Sequence, residues 1–173
     1  MIYLQKDGIL IRDMEEPDGL DICRAEGDIS EGNIGYYNKQ FGHIREKMCA
    51  GLVAVCRSEI AGYVYLYYRC KWGGLGNQGY PGVVDLSVME KFRRRGIGNL
   101  LMDVAESIAS KHSDLIYLDV GLNREFGSAQ RLYAKRGYIP DGKGCYYEEK
   151  VCGTDAPCRN SDELTLCLVK ELR

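Results

Sequence analysis

The sequence predicts an α/β fold, in one domain that spans residues 1–173. Val83 to Met89 alternates along its length and is rich in β-branched residues, as a strand is. After a short basic turn, apolar residues recur at helical spacing at Leu100, Leu101, Val104 and Ile108. A chain of 173 residues suits a single domain with a full hydrophobic core.

The segments before the central strand predict one strand and two helices. Gly8 to Met14 has the composition of a strand. The run Glu15-Glu16-Pro17-Asp18 is typical of a helix start, because acids and proline favour the first turn, and we expect that helix to end near Ala25. Ser30 to Met48 predicts a second, less regular helix.

A hairpin and a glycine-rich loop are expected next. Ala50 to Arg57 and Ile60 to Cys70 alternate valines and leucines with tyrosines, which indicates two paired strands. Lys71 to Gly82 holds five glycines, so it predicts a mobile loop.

The chain after the central helix predicts further strands and one helix. Leu115 to Val120 has the pattern of a short buried strand. Phe126 to Arg136 has the pattern of a helix. Ile139 to Arg159 predicts a long turn-rich excursion with a short strand around Cys145 to Glu148. Leu164 to Val169 predicts an apolar last strand.

The turn from Lys91 to Gly98, KFRRRGIG, has the features of an anion site. It lies at the predicted start of a helix, where backbone N–H groups lack helical partners and the helix dipole is positive. Glycines let the backbone approach an anion closely, and arginines add forked donors. The turn therefore predicts phosphate binding, and the alternative is a solvated basic turn that only caps the helix.

Two common nucleotide motifs do not fit this turn. The chain has no Gly-Lys-Ser/Thr sequence, and no third glycine follows Gly96 and Gly98 at the spacing of a dinucleotide fold. The pattern Arg93-x-x-Gly96-x-Gly98 directly after a strand resembles the pyrophosphate-binding motif of the Gcn5-related N-acetyltransferases (GNAT). The ending Ala-x-x-Leu-Tyr-x-x-x-Gly-Tyr, from Ala129 to Tyr138, resembles the second signature of the same family, and the resemblance covers about Val83 to Tyr138.

The resemblance implies the GNAT acyl-CoA N-acyltransferase fold and acetyl-CoA (coenzyme A) as cofactor. This fold has a central, mostly antiparallel sheet with helices on both faces, and its fourth and fifth strands, here Val83 to Met89 and Leu115 to Val120, splay apart. The pantetheine arm is expected along the backbone of Leu86, Ser87 and Val88. The pyrophosphate is expected on Arg93, Arg94, Arg95, Gly96, Ile97, Gly98 and Asn99, with Arg93 either meeting phosphate or holding the turn. Asn123 matches the cofactor-contacting asparagine of the family, or its loop shapes the acceptor pocket.

The resemblance also implies direct attack of a primary amine on the acetyl thioester, and no Cys-His pair near the motifs indicates an acyl-enzyme. Tyr133 matches the general acid of the family, although it could instead hydrogen-bond the sulfur or simply pack on the sheet. Asp85 and Asp119 are the candidate bases, because a carboxylate among apolar neighbours can have a raised pKa. A structural role for either carboxylate is the alternative.

We expect the acceptor to be a small-molecule amine. Asp85, Asp119 and the acidic pair Glu148-Glu149 suit a cationic compound, while a peptide N-terminus or a lysine is the alternative. Trp72 or Tyr80 in the glycine-rich loop either touches the acceptor or belongs to a surface turn. Two other functions stay open: an acyl-CoA-binding module without turnover, and a nucleic-acid protein that uses Lys91 to Arg95.

Composition and net charge limit the kinds of partner that we expect for this protein. The net charge is −2, with 45% hydrophobic and 28% charged residues, which argues against general binding to nucleic acids or anionic membranes. The N-terminus lacks the features of a signal peptide, and no apolar run approaches about 18 residues. We expect a soluble cytoplasmic protein without nucleic-acid or membrane partners, and a homodimer is left open.

The eight cysteines include no Cys-x-x-Cys pair, and only His43 and His112 could assist them in binding a metal. We therefore expect no metal, and most of the thiols to act as small apolar side chains. The alternative is metal or disulfide chemistry at Cys145, Cys152 and Cys158, which lie in a loop-like region.

Overall fold

The computed structural model describes residues 1–172, which form two units. The first contains Met1–Tyr67 and Asp85–Ile108, and the second contains Tyr68–Val84 and the chain from Ala109 onward. Each unit is discontinuous in sequence, and the prediction of one domain stays a prediction. No helix within residues 1–172 is both long enough and apolar enough to cross a membrane.

Four antiparallel strands form the sheet of the first unit: β1 (Ile2–Lys6), β2 (Ile9–Asp13), β3 (Cys49–Cys56) and β4 (Glu59–Tyr67). Nearly every residue of β3 and β4 is buried, which suits their β-branched and aromatic side chains. The predicted hairpin is confirmed. The sequence indicated one strand at the N-terminus and missed β1, since this short strand is largely exposed and lacks a buried apolar face.

Three helices belong to the first unit: α1 (Glu16–Glu26), α2 (Glu31–Arg45) and nearly all of α3 (Ile97–Ala109). Asp18 accepts from the backbone N of Glu15 at the start of α1, and two oxygens of its carboxylate also accept from Arg12, at 2.6 and 2.8 Å. The side chain of Ser30 accepts from the backbone N of Asn33 and caps α2. The predicted positions of all three helices are confirmed.

β5 (Gly82–Val88) runs from the second unit into the first. In the second unit it pairs in parallel with β6 (Leu115–Gly121), and among the described residues this pairing consists of Gly82 with Tyr117 and Val83 with Leu118. Pairing that stops at the second residue of β5 agrees with the predicted splay of these two strands.

The rest of the second unit contains α4 (Gly127–Lys135) and three strands, β7 (Ile139–Tyr147), β8 (Lys150–Val151) and β9 (Leu164–Glu171). β9 lies between β6 and β7, and β8 pairs with β7. The antiparallel pairing of β6 with β9 covers every residue from Leu115 to Gly121. The predicted helix and last strand are confirmed. The mixed sheet with its helices confirms the predicted α/β fold class.

The short strand expected around Cys145 to Glu148 is confirmed as the end of β7. The turn-rich start expected from Ile139 was wrong, because β7 begins there and forms a hairpin with β8. The register of β7 against β9 shifts between Pro140 and Cys145. Proline and glycines in this segment weaken the strand pattern in the sequence, whereas pairing with the apolar β9 provides the backbone partners that form β7.

Candidate active site

The end of β5 leads directly into the basic turn. Leu86, Ser87 and Val88 are half-buried, and the N–H of Met89 donates to the carbonyl of Ala61 on β4 at 3.0 Å. A Cβ at Gly62 of β4 would lie 2.7 Å from the carbonyl oxygen of Ser87. The hydrogen bond attaches the end of β5 to β4, and the close approach leaves no room for a side chain at Gly62.

Two side chains anchor the turn itself. Phe92 is 5% exposed and lies in a short 3-10 helix, Glu90–Phe92, between β5 and the arginines. The Nε of Arg93 donates to the carbonyl of Val88 at 3.1 Å. This hydrogen bond agrees with the turn-holding role considered for Arg93, and its contact with phosphate stays a prediction. The guanidinium of Arg95 lies over the Phe92 ring, 5.6 Å from its centroid.

The backbone of the turn contains two residues in the left-handed region. Arg94 and Gly96 have φ angles of 62° and 79°, and such left-handed residues among ordinary ones turn successive N–H groups toward one side. No heavy atom lies within 4 Å of the position of a Cβ at Gly96, so space is open there. α3 begins at Ile97, and the N–H of Leu100 donates to the carbonyl of Gly96 at 3.1 Å. The helix N–H groups before Leu100 therefore belong to the first turn, where helices bind anions.

Asp85 occupies an irregular position in β5. Its φ is 54°, which is uncommon for a non-glycine residue and departs from the extended backbone of the rest of the strand. The hydroxyl of Tyr36, on α2, donates to its carboxylate. The carboxylate keeps contact with solvent, yet the protein around it raises its pKa by desolvation. The Tyr36 hydrogen bond lowers this pKa, and the charge of Glu26 raises it.

A second carboxylate, that of Glu26 at the end of α1, accepts hydrogen bonds from two buried tyrosines. Tyr37 donates to one oxygen of Glu26 at 2.9 Å and Tyr63 to the other at 3.0 Å, and the two hydroxyls are 2.9 Å apart. Burial raises the pKa of both phenols, so they remain protonated donors at neutral pH. Glu26, Tyr36, Tyr37, Tyr63 and Asp85 are called the tyrosine–carboxylate cluster below.

The sequence analysis selected Asp85 but did not predict its contact with Tyr36 or the two tyrosines that donate to Glu26. One signal was available: Glu26 is an acid in the last turn of a helix, directly before Gly27, the C-cap residue. The helix dipole disfavours a negative charge there, so a carboxylate at this position needs other partners. The partners Tyr37 and Tyr63 lie far away in sequence, and the pattern alone does not name them.

The second unit contains Asp119, on β6. Both oxygens of its carboxylate accept from the N–H of Gly74, each at 3.1 Å, and the hydroxyl of Thr165 donates to one oxygen at 3.4 Å. Burial raises the pKa of this carboxyl group, while these hydrogen bonds lower it. The contacts favour the structural role left open for Asp119, which is to hold the glycine-rich loop.

The same loop has further attachments. The hydroxyl of Tyr117 donates to the carbonyl of Trp72 at 2.6 Å, and the N–H of Cys70 donates to the carbonyl of Tyr80 at 3.0 Å. The side chain of Trp72 is 38% exposed. The loop predicted to be mobile is therefore tied to β6 through Asp119 and Tyr117.

Tyr133 and Asn123 also lie in the second unit. Tyr133, on α4, is 6% exposed, and its ring meets that of Tyr138 edge to face at a centroid distance of 5.7 Å. The side chain of Asn123 accepts from the N–H of Glu125 and donates to the carboxylate of Asp162, both at 2.9 Å. Asn123 thus caps the short 3-10 helix Arg124–Phe126, and its cofactor contact stays a prediction.

The structure brings together one group of predicted site residues within the first unit: Asp85, Leu86, Ser87, Val88 and the turn from Arg93 to Asn99. Asp119, Asn123 and Tyr133 lie in the second unit. Two concave surfaces, of about 630 and 730 Å³, are lined by other residues, among them Tyr80 and Asp114 for the first and Arg12 and Lys91 for the second.

None of the eight cysteines forms a disulfide within residues 1–172. In the same residues, no three side chains of His, Cys, Asp or Glu are grouped so that they could hold a metal ion.

Comparison with known proteins identifies the family. The family described as the acetyltransferase (GNAT) domain matches residues 48–140. An N-alpha-acetyltransferase from Saccharolobus solfataricus is 29% identical over 123 residues, which are 60% of this chain and 70% of that protein.

Solved structures share the fold at lower identity. An acetyltransferase from Salmonella typhimurium that modifies the N-terminal serine of a 50S ribosomal protein has a TM-score of 0.73, with 9% identity over all of both chains. A Bacillus anthracis structure in complex with acetyl coenzyme A has a TM-score of 0.55, with 20% identity over 72% of this chain and 64% of that one. The chain belongs to the GNAT acetyltransferase family and is an N-acetyltransferase.

Proposed function

We propose that the protein transfers an acetyl group from acetyl-CoA to a primary amine, and that this amine is the α-amino group of a polypeptide. The observation that carries the proposal is the turn from Arg93 to Asn99, which follows β5 and the short 3-10 helix Glu90–Phe92 and leads into α3. The curated relative from Saccharolobus solfataricus is named for this kind of acceptor.

The residues of the turn fit the pyrophosphate of acetyl-CoA. The open space at Gly96 admits phosphate oxygens to the backbone, and the first N–H groups of α3 are oriented to donate to them. Arg94 and Arg95 are exposed, so their guanidinium groups can approach a phosphate. Leu86, Ser87 and Val88 would lie along the pantetheine arm. When bound, acetyl-CoA supplies a thioester whose acetyl carbon can be attacked by a neutral amine.

An amine must lose a proton before it attacks, and the class of amine decides how difficult this step is. An α-amino group has a pKa of about 7.7–8.0, whereas an alkylamine has one of about 10.4. At pH 7 about one in ten α-amino groups is neutral, against about one in 2,500 alkylamines. An α-amino acceptor therefore needs only a modest base.

We assign that base to Asp85. Its raised pKa makes the carboxylate a better proton acceptor, and its solvent contact lets it act directly or through a water. The proton moves from the ammonium group of the acceptor to the carboxylate of Asp85. Tyr36 donates to Asp85 and orients the carboxylate. The N–H of Val88 is the proposed donor to the oxyanion that forms on the acetyl group.

Tyr133 is the proposed proton donor to the departing thiolate. A phenol has a pKa of about 10 and a thiol one of about 8.5, so complete donation is uphill by roughly 2 kcal/mol. A hydrogen bond from the phenol to the sulfur supplies part of the stabilisation without complete proton transfer.

A small cationic amine is the second candidate acceptor. It is favoured by the two carboxylates of the tyrosine–carboxylate cluster, Glu26 and Asp85, since the charge of Glu26 reaches Asp85 strongly enough to raise its pKa. Such a pair attracts a molecule with more than one ammonium group.

Calorimetric titration with acetyl-CoA, followed by measurement of thiol release, tests the proposal. The acceptors are a short peptide with a free N-terminus, the same peptide with a blocked N-terminus and an internal lysine, and a polyamine. We expect binding of acetyl-CoA and release only with the free N-terminus. Release with the polyamine alone would favour the second candidate, and a folded protein that does not bind acetyl-CoA would refute the assignment of the turn.

A further inference from the structure

We propose that Cys145, Cys152 and Cys158, called the thiol cluster here, accept one reversible disulfide in which Cys152 is the shared partner. The disulfide forms by exchange with a small-molecule disulfide such as oxidised glutathione. This site lies in the second unit and does not depend on the identity of the acetyl acceptor.

The backbone places Cys145 and Cys152 opposite each other. β7 and β8 are antiparallel, with Tyr146 paired to Val151, and the N–H of Cys152 donates to the carbonyl of Cys145 at 2.8 Å. The two cysteines therefore continue the hairpin by one residue pair. Opposite residues joined by such bonds have Cα atoms about 5.5 Å apart, and disulfides usually join Cα atoms about 4.4–6.8 Å apart.

Cys158 lies six residues after Cys152, in a segment that contains a turn. The N–H of Ala156 donates to the carbonyl of Gly153 at 3.1 Å, and Asp155 has a φ of 60°, so the chain turns back after β8. Burial raises the pKa of the Cys152 thiol, and the charges and hydrogen bonds of Cys145 and Cys158 raise it further.

Exposure separates the thiol cluster from the remaining cysteines. Cys158 is exposed and Cys145 and Cys152 are half-buried, whereas the other five are buried, namely Cys23, Cys49, Cys56, Cys70 and Cys167. A dissolved disulfide can therefore meet Cys158 first. The raised pKa of Cys152 keeps most of this thiol protonated at neutral pH, so exchange is faster in mildly alkaline solution.

The exchange is balanced in electrons and protons. The thiolate of Cys158 attacks one sulfur of oxidised glutathione, and one reduced glutathione leaves. The thiolate of Cys152 then attacks the sulfur of Cys158 and displaces the second glutathione. Two protein thiols are oxidised to one disulfide, and one glutathione disulfide is reduced to two thiols. The thiolate of Cys145 can afterwards displace Cys158 from Cys152, with no further change in oxidation state.

Peptide mapping of the full chain tests this proposal. The reduced protein is incubated without oxygen at pH 8 with oxidised glutathione, the remaining thiols are alkylated, and the peptides are analysed by mass spectrometry. We expect one disulfide per chain that contains Cys152, release of two glutathiones, and full reversal by a dithiol. Stable glutathione adducts without an internal disulfide would overturn the proposal.

Three serine variants and one control refine the result. Cys152→Ser is expected to lose the internal disulfide and to keep a glutathione adduct on Cys158. Cys145→Ser and Cys158→Ser should each retain a disulfide from Cys152 to the remaining partner. Cys56→Ala, which removes a buried thiol outside the cluster, should behave as the unsubstituted protein. An undiminished yield of disulfide in Cys152→Ser, with circular dichroism showing a folded protein, would refute the role of Cys152.

Discussion

A carboxylate placed at Gly96 tests the anion site most directly. Gly96 has a φ of 79° and open space at the position of a Cβ, so a side chain meets no neighbour and the strained backbone is the main penalty. Gly96→Gln introduces the same strain and almost the same volume as Gly96→Glu, without the charge. Comparison of the two variants therefore isolates the repulsion between a carboxylate and the pyrophosphate.

The expected magnitude follows from Coulomb's law. Two unit charges about 4 Å apart interact by about 4 kcal/mol at an effective dielectric constant of about 20. Because the turn is exposed, water and salt weaken this repulsion. We expect the Kd for acetyl-CoA to be about 30 to 1,000 times higher in Gly96→Glu than in Gly96→Gln, with a smaller ratio at high salt.

The stabilities of Gly96→Glu and Gly96→Gln show whether weaker binding of acetyl-CoA results from loss of the fold. A non-glycine residue in the left-handed region costs about 1–2 kcal/mol, which lowers the Tm of a chain of this size by about 2–8 °C. The glutamate recovers about 0.3–1 kcal/mol, because it lies at the positive end of α3. Gly96→Glu should therefore be at least as stable as Gly96→Gln while it binds acetyl-CoA more weakly.

Calorimetry at two salt concentrations and thermal unfolding measure these effects. Gly8→Glu is the matched control, since Gly8 has a φ of 76° and equally open space in the turn between β1 and β2. It should lose similar stability and bind acetyl-CoA as the unsubstituted protein does. A folded Gly96→Glu variant with an unchanged Kd would refute the anion site.

Four further predictions concern the proposed base, the proton donor, the loop and the disulfide. Asp85→Asn should lower kcat by about 10²–10⁴-fold. Tyr36→Phe should move the acidic limb of the pH–rate profile to higher pH, because the Tyr36 hydrogen bond lowers the pKa of Asp85. An acidic limb at unchanged pH would contradict the assignment of Asp85 as the base. Tyr133→Phe should lower kcat while the Kd for acetyl-CoA is unchanged, as calorimetry and steady-state kinetics would show. The pKa of Asp119 is raised in the folded protein, so Asp119 contributes most to the free energy of unfolding below its unfolded pKa. This contribution declines as pH rises through the folded pKa. Asp119→Asn should remove this decline in denaturant titrations, and an unaltered pH dependence of stability in the variant would contradict this prediction. Oxidation of the thiol cluster should raise the free energy of unfolding by at most about 2–3 kcal/mol, since the closed loop is short, whereas Cys152→Ser should show no such gain.

Much of the basic turn could be predicted from the sequence because its structure is local. A glycine at position 96 is suited to a positive φ, the apolar spacing after it defines α3, and the strand before it has its own pattern. The role of Arg93 was left with two alternatives, since the sequence shows a cation near a turn but does not show the Val88 carbonyl that accepts from it.

The tyrosine–carboxylate cluster could not be predicted in the same way. Tyr36 meets Asp85 across 49 positions of the chain, and Tyr63 meets Glu26 across 37. The left-handed φ of Asp85 has no signal in the alternation of β5, because alternation indicates which side chains share a face of a strand and does not indicate the φ of one residue.

The sequence by itself determined the order of most elements and the character of the basic turn, since helix caps, apolar periodicity and glycine conformation act over only a few residues. Tertiary structure decided which carboxylates gained partners. Asp119 became the attachment of the loop at Gly74, whereas Asp85 has a left-handed φ and accepts from Tyr36. Both are aspartates in apolar strands, and only contacts between distant segments distinguish them.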